Sequence, residues 1–180
     1  MTTLPGALVG VDPELLARRP WLRHYEPGVP ATNEYPAIPF HALLDETAAK
    51  YPDRAATIFF GARLSYRALL TAVNKFAVAL QGLGVKKGDR VALYLPNTPQ
   101  FIIAYYGALK VGATVTAINP LYVEREVEHQ LNDSGAEVVV VLSKFYPLVR
   151  AVRGHSKVRH VVVTNVKEFF PPVLRLLFTL

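Results

Sequence analysis

The side chains able to do chemistry in this sequence are few and scattered. The five histidines (His24, His41, His129, His155 and His160) stand in separate stretches, and no two have a ligand-pair spacing on one helix face. Each reads as a surface or packing residue. Glu124, Glu126 and Glu128 read as a solvated helix face, and Ser65 reads as a helix cap, since no nucleophile elbow surrounds it. The loop Gly84-Val85-Lys86-Lys87-Gly88-Asp89 has the glycines and lysines of a phosphate loop, but in the wrong place. Phosphate loops follow a strand and open a helix, so that helix amides point at the anion. This loop follows a helical pattern and opens a strand, so it reads as a turn. No catalytic residue and no metal ligand is assigned.

What remains is a place rather than a reactive group. In open parallel sheets, ligands bind beyond the carboxyl ends of the strands. Two such ends occur in the stretch from Arg90 to Pro120, which reads strand, helix, strand. Arg90 to Leu95 is a short apolar run. Asn97 or Thr98 suits a helix cap, and Pro99 suits the first turn. Phe101 to Val111 is apolar on nearly every face, Gly112 ends it, and Ala113 to Ile118 is a second short strand. A crossover helix of this length joins parallel strands. The rim segments are then Leu95-Pro96-Asn97 and Asn119-Pro120-Leu121-Tyr122. Asn97, Asn119 and Tyr122 are the candidate substrate-binding residues, and the competing reading is that both asparagines only cap helices and turns.

The neighbouring elements extend the same pattern. Phe40 to Tyr51 reads as an amphipathic helix with Leu43, Leu44, Thr47 and Ala48 on one side. Ala55 to Phe60 and Arg63 to Ser65, around Gly61-Ala62, form a small β-hairpin. In the helix that follows Ser65, Leu69, Val73, Phe76, Leu80 and Leu83 make one apolar stripe. Tyr122 to Ser134 is a surface helix, Glu137 to Leu142 a buried strand, Phe145 to Arg153 a helix and Val158 to Thr164 a further strand. The fold class is α/β: a mostly parallel sheet with helices on both faces and a hairpin near residues 55-65. Three parts are expected: an irregular arm over 1-37, an α/β body over 38-166 and an apolar tail over 167-180.

Composition narrows the class. The chain has 180 residues, 51% of them apolar, so one real core is affordable and disorder is not expected. No run of about 18 uncharged apolar residues occurs, so no transmembrane helix is predicted. No charged segment precedes an apolar core at the N-terminus, so no signal peptide is read. Zero cysteine removes disulfides and thiolate metal sites and fits a reducing compartment. The net charge of +6 has two readings, a solvated surface or attraction to phosphorylated ligands and lipid headgroups. No basic stripe with interleaved aromatics is present, so nucleic acid is not expected as a partner. Pro13, Pro20, Pro27, Pro30 and Pro36 punctuate the arm, with a short helix expected from Pro13 to Arg19 behind an Asp12 cap. Trp21, Tyr25 and Tyr35 there read as covers for apolar surface. The tail KEFFPPVLRLLFTL reads as the start of a segment whose packing surface lies further along, or as a membrane-surface helix.

Three stretches together resemble one family. Leu64-Ser65-Tyr66-Arg67-Ala68-Leu69, the run LKVGATVTAINP from Leu109 to Pro120, and NPLYVEREVEHQLNDSGAEVVVV from Asn119 to Val141 resemble the N-terminal part of AMP-forming acyl-CoA synthetases. The wider group includes firefly luciferase and peptide-synthetase adenylation domains, and the long-chain fatty acid–CoA ligases are most similar. The resemblance runs from about Pro20 to Thr179. It implies a two-step reaction in the full-length enzyme, with ATP, Mg²⁺ and CoA: a fatty acid carboxylate is adenylated, then the acyl group passes to CoA. It implies a homodimer through the N-terminal arm. A cytoplasmic location is expected, and the apolar tail and basic surface add the expectation of peripheral contact at the inner membrane face. The family's Ser/Thr/Gly-rich phosphate loop, its adenine- and ribose-binding motifs and its catalytic lysine match nothing in these residues. Where some relatives carry a basic residue after the Asn-Pro pair, this chain has Leu121. The segment alone is therefore expected to bind no ATP, Mg²⁺ or CoA and to be inactive. A free-standing, non-catalytic α/β binding module is the other reading.

Overall fold

The computed structural model describes residues 13–178. Their contacts divide at Ala37. The first unit holds a short helix, α1 (Pro13–Arg18), and a 3-10 turn, Pro20–His24, with Arg19 between them in the left-handed region at φ 44°. Asp12, the expected cap of α1, lies outside the described residues.

The second unit begins with α2 (Ala42–Lys50) and the hairpin β1 (Ala55–Phe59) and β2 (Ala62–Ser65), which pair antiparallel. The long helix α3 (Tyr66–Gly82) follows, and the Ser65 hydroxyl accepts from the Ala68 amide at 3.2 Å, as its cap reading requires. Then come β3 (Arg90–Tyr94), α4 (Pro99–Lys110), β4 (Thr114–Ala117), α5 (Glu124–Ser134), β5 (Val138–Leu142), α6 (Tyr146–Val152), β6 (His160–Thr164) and α7 (Pro172–Leu177). The four strands form one parallel sheet in the order β4-β3-β5-β6. This is the expected α/β class.

The two central strands, β3 and β5, are buried on both faces and divide their side chains between them. Val91, Leu93, Val138 and Val140 pack under Leu80 of α3 and Ala104 and Ala108 of α4. Ala92, Tyr94, Val139 and Val141 pack against Val127 and Leu131 of α5 and Val149 and Val152 of α6. Continuous apolar strands follow from this two-sided burial. Each fully buried Val or Leu contributes about 1.5–3 kcal/mol relative to exposure.

Local details depart from expectation at three points. The helix expected from Phe40 starts at Ala42, and Leu43 is exposed while Leu44 and Ala48 are buried. Phe40 instead stacks on Tyr106, which turns the chain before the helix begins. Thr98, one of the two expected positions, is the N-cap of α4, but its hydroxyl donates to the Pro96 carbonyl at 3.3 Å and accepts from no helix amide. Helix α5 starts two residues after Tyr122. Its N-cap is Val123, which has no side-chain acceptor, and the Glu126 carboxylate accepts from the Val123 amide at 2.9 Å. At the far end of α5, the Arg90 guanidinium donates to the Ser134 and Gly135 carbonyls at 3.1 Å each, satisfying orphan acceptors where the helix dipole is negative.

One ion-pair network ties α2, α3 and α4. Lys110 Nζ donates to Asp45 Oδ1 at 2.5 Å and to Asn74 Oδ1 at 2.8 Å, and His41 Nδ1 lies 3.3 Å from Asp45 Oδ2. Partial burial pushes the Asp45 carboxyl up, but the bonds and charges of Lys110 and His41 outweigh it and hold the group below its ordinary value. A carboxylate depressed on folding stabilises fully above the unfolded pKa and loses that contribution as pH falls through the folded one. Urea titrations below about pH 5 should therefore show native stability falling more steeply than that of Asp45→Asn. Parallel slopes for the two proteins would rule the network out as a contributor.

Candidate functional site

The carboxyl ends of β3 and β4 lie side by side. Leu93 is registered with Ala117, so the chain leaves the sheet at one rim as Leu95-Pro96-Asn97 and as Ile118-Asn119-Pro120. The Ile118 amide still donates to the Leu93 carbonyl at 2.9 Å, which carries the pairing to the rim. Asn119 is exposed, and its Oδ1 accepts from the Leu121 amide at 3.0 Å. That is an Asx turn, so its side chain serves the turn as the competing reading supposed. The next amide bond closes on the same residue, Tyr122 N donating to Asn119 O at 3.0 Å.

Tyr122 is held from beneath. The hydroxyl of Tyr94, a fully buried residue of β3, donates to the Tyr122 carbonyl at 3.0 Å. Burial first, and the nearby Glu126 carboxylate second, push this phenol above its ordinary pKa, so it stays a neutral donor. The ring of Tyr94 stacks on Phe145, centroids 5.0 Å apart, in the loop after β5. One side chain thus joins the ends of β3, β4 and β5. Sequence reading passed over it, because a Tyr inside an apolar strand looks like core.

Asn97 is exposed in the loop between β3 and α4. It lines a cavity of about 280 Å³ with Thr57, Ile58 and Phe59 of the hairpin and Phe101 and Ile102 of α4. Tyr122 lines a different, shallow depression of about 830 Å³ over α5, with Arg125, Glu126 and His129. The structure places the three candidates along one rim, but Asn97 and Tyr122 do not share either hollow.

A second set of polar groups sits at the ends of β5 and β6. Gln100, buried in the first turn of α4, donates through Nε2 to the Asn165 carbonyl at 2.9 Å. Asn165 Nδ2 donates to Ser143 Oγ at 3.0 Å, and Asn165 Oδ1 accepts from the Lys167 amide at 3.1 Å. These bonds lock the loops together. The signal for Gln100 was a polar residue in the first turn of a mostly apolar helix.

The donor set limits the chemistry. Among the described residues no three His, Asp or Glu side chains are grouped to hold a metal ion. The carboxylates at the rim already have work: Glu126 caps α5, and Glu168 accepts from the Thr164 hydroxyl and the Asn165 amide. These residues do not fit a Mg²⁺ site. The rim can present main-chain groups, exposed amides and a tyrosine edge. It can position and enclose a ligand.

The AMP-binding enzyme family matches residues 44–174, most of the chain. The chain belongs to the AMP-binding enzyme family. It is 37% identical over 164 residues to a long-chain-fatty-acid–CoA ligase of Bacillus subtilis (strain 168), covering 91% of this chain and 29% of that protein. It is 41% identical over 152 residues to the ligase of the same name from Yersinia pestis, covering 82% and 27%. The chain therefore spans just over a quarter of the length of these relatives. Among solved structures, a long-chain-fatty-acid-CoA ligase from Archaeoglobus fulgidus superposes with a TM-score of 0.72 at 30% identity, over 78% of this chain and 30% of that one. An anthranilate CoA ligase in complex with anthranoyl-AMP gives 0.67 at 28% identity, over 69% and 24%. These superpositions over most of the chain agree with the α/β fold that the sequence resemblance implied.

Proposed function

We propose that this chain supplies the first α/β subdomain of an AMP-forming fatty acid–CoA ligase. The observation that carries the reading is the rim of the parallel sheet, continuous in fold and sequence with relatives named for that activity. In such an enzyme a fatty acid carboxylate oxygen bonds to the α-phosphorus of ATP and pyrophosphate leaves. The CoA sulfur then bonds to the acyl carbon and AMP leaves. Both steps gain most from positioning and charge neutralisation. Mg²⁺, when bound by such an enzyme, neutralises phosphate charge.

The part of this chain in that scheme is to wall the substrates. Asn97, Asn119 and Tyr122 are the proposed substrate-facing residues, with Tyr94 as the buried strut that sets the height of Tyr122. The whole enzyme is read as cytoplasmic, dimeric through residues 1-37, and in peripheral contact with a lipid surface. The 180 residues alone bind no ATP tightly and turn nothing over. Isothermal titration of the chain with ATP·Mg should give no saturable heat in the micromolar range; tight saturable binding would overturn this division of labour.

A further inference from the structure

Gln100 is a buried amide that the fold keeps at a cost. It is 6% exposed, in the first turn of α4. Its Nε2 donates to the Asn165 carbonyl at 2.9 Å, which fixes which way the amide faces. Its Oε1 is closed off from solvent and accepts from no group among the described residues. A buried acceptor left unpaired costs more than one hydrogen bond of the same amide returns. An apolar side chain of equal length would serve the core as well or better, so packing gives no reason for a glutamine here.

The bond from Gln100 closes a circuit around the loop that carries Asn97. Tyr94, the last residue of β3, stacks on Phe145. Phe145 shares a 3-10 turn with Ser143, and Ser143 Oγ accepts from Asn165 Nδ2 at 3.0 Å. The Asn165 carbonyl accepts in turn from Gln100, and residues 95–99 lead back from Gln100 to Tyr94. Asn97 stands midway between these two anchors. Asn165 also opens the turn Val166–Phe169, where its Oδ1 accepts from the Lys167 amide and its own amide donates to Glu168 Oε1 at 3.0 Å. Phe170 follows that turn and stacks on Phe59, centroids 5.8 Å apart. Phe59 lines the same hollow as Asn97, so α4 and the hairpin, its two walls, are both tied to one loop.

We propose that Gln100 is a positioning residue: its bond to Asn165 holds the start of α4 against the loop after β6 and so sets the place of Asn97 at the hollow. The fold gives up stability at one buried atom and gains a fixed rim loop. The importance of that place for a substrate rests on the reading of Asn97 in the proposed function. The fixing of the loop does not, and it is measured without ATP, CoA or fatty acid.

Gln100→Met keeps the length of the side chain and removes both the bond and the unpaired oxygen. In the 180-residue chain its melting temperature should stay within about 2 °C of the native value or rise. Amide hydrogen exchange should quicken about tenfold at Phe101, which donates to the Thr98 carbonyl, and at Phe170, which donates to the Lys167 carbonyl, while Val140 in the core stays slow. Ser143→Ala breaks the circuit at a second link and should quicken the same two amides. In the full-length ligase with palmitate as substrate, Gln100→Met should raise KM for the fatty acid about tenfold with kcat little changed. Unchanged exchange at Phe101 and Phe170 overturns the proposal. So does a lowered melting temperature with equally faster exchange at Val140, because Gln100 then serves general stability. Quickened exchange at the two loop amides with an unmoved KM leaves Gln100 as the anchor of the loop and counts instead against Asn97 as a substrate-facing residue.

Discussion

Replacing Tyr94 by Ala should cost about 4 kcal/mol of folding stability, a large share of the roughly 5–15 kcal/mol that holds a domain folded. The ring is fully buried between β3 and the α5–α6 layer, stacked on Phe145, so its removal leaves a cavity that the sheet above cannot fill. The hydroxyl adds a second loss, because the Tyr122 carbonyl then has no donor from below. Tyr94→Phe isolates that second part and should cost about 1 kcal/mol. It keeps the core and frees the turn from Asn119 to Tyr122, so amide exchange at Tyr122 should quicken while exchange at Val139 stays slow. Urea unfolding of the two variants beside the native chain measures the difference. Equal stabilities for Tyr94→Phe and the native chain, with unchanged exchange, would remove Tyr94 as the strut of the rim.

Gly107→Leu should be nearly as damaging, at about 3 kcal/mol, through overpacking rather than a cavity. Gly107 is where α4 crosses α3. A β-carbon built on it would lie 2.7 Å from Phe76 Cδ1 and 3.4 Å from the Ala77 amide nitrogen. The glycine is not needed for its own backbone, which is helical; it is needed so that two helices can approach. Gly107→Ala tests that distinction. Ala gains about 1 kcal/mol of helix propensity over Gly, and the Phe76 ring must shift to admit one methyl, so that variant should melt close to the native chain. Leu cannot be admitted by a ring shift alone. It should push α4 away from α3, loosen Ala104 and Ala108 from the sheet, and disturb the Gln100–Asn165 bond at the helix start. Thermal melts followed by circular dichroism check it; a Leu variant as stable as the Ala variant would refute the close-packing argument.

How far the chain could be read in advance depended on the range of the interaction. The strands were legible because VVVV from Val138 to Val141 and the run Val91 to Leu95 leave no polar side for water, which only two covered faces satisfy. Ser65 was legible as a cap because capping is settled within three residues. Leu43 was misplaced because helical period shows that a stripe exists but not where the neighbouring helix ends; Leu44 and Ala48 took the contact and Leu43 stayed outside.

At the rim the division was similar. Asn119 was read as either a turn-former or a ligand residue, and the turn half of that reading was local, since its Asx turn spans only two residues. Tyr94, Gln100 and Asn165 were not marked, since each acts on a group 22 to 65 residues away, and no local pattern encodes that partnership.

By itself, then, the order of residues determined the α/β class, the position of nearly every helix and strand, and the family. Hydrophobic period and turn chemistry are local, and they leave little choice once both faces of a strand must be dry. Tertiary structure alone decided the strand order β4-β3-β5-β6, the strut from Tyr94 to Tyr122, and the separation of Asn97 and Tyr122 into different hollows. Those depend on which distant segments close on one another, and an apolar strand is equally content beside any neighbour that keeps water out.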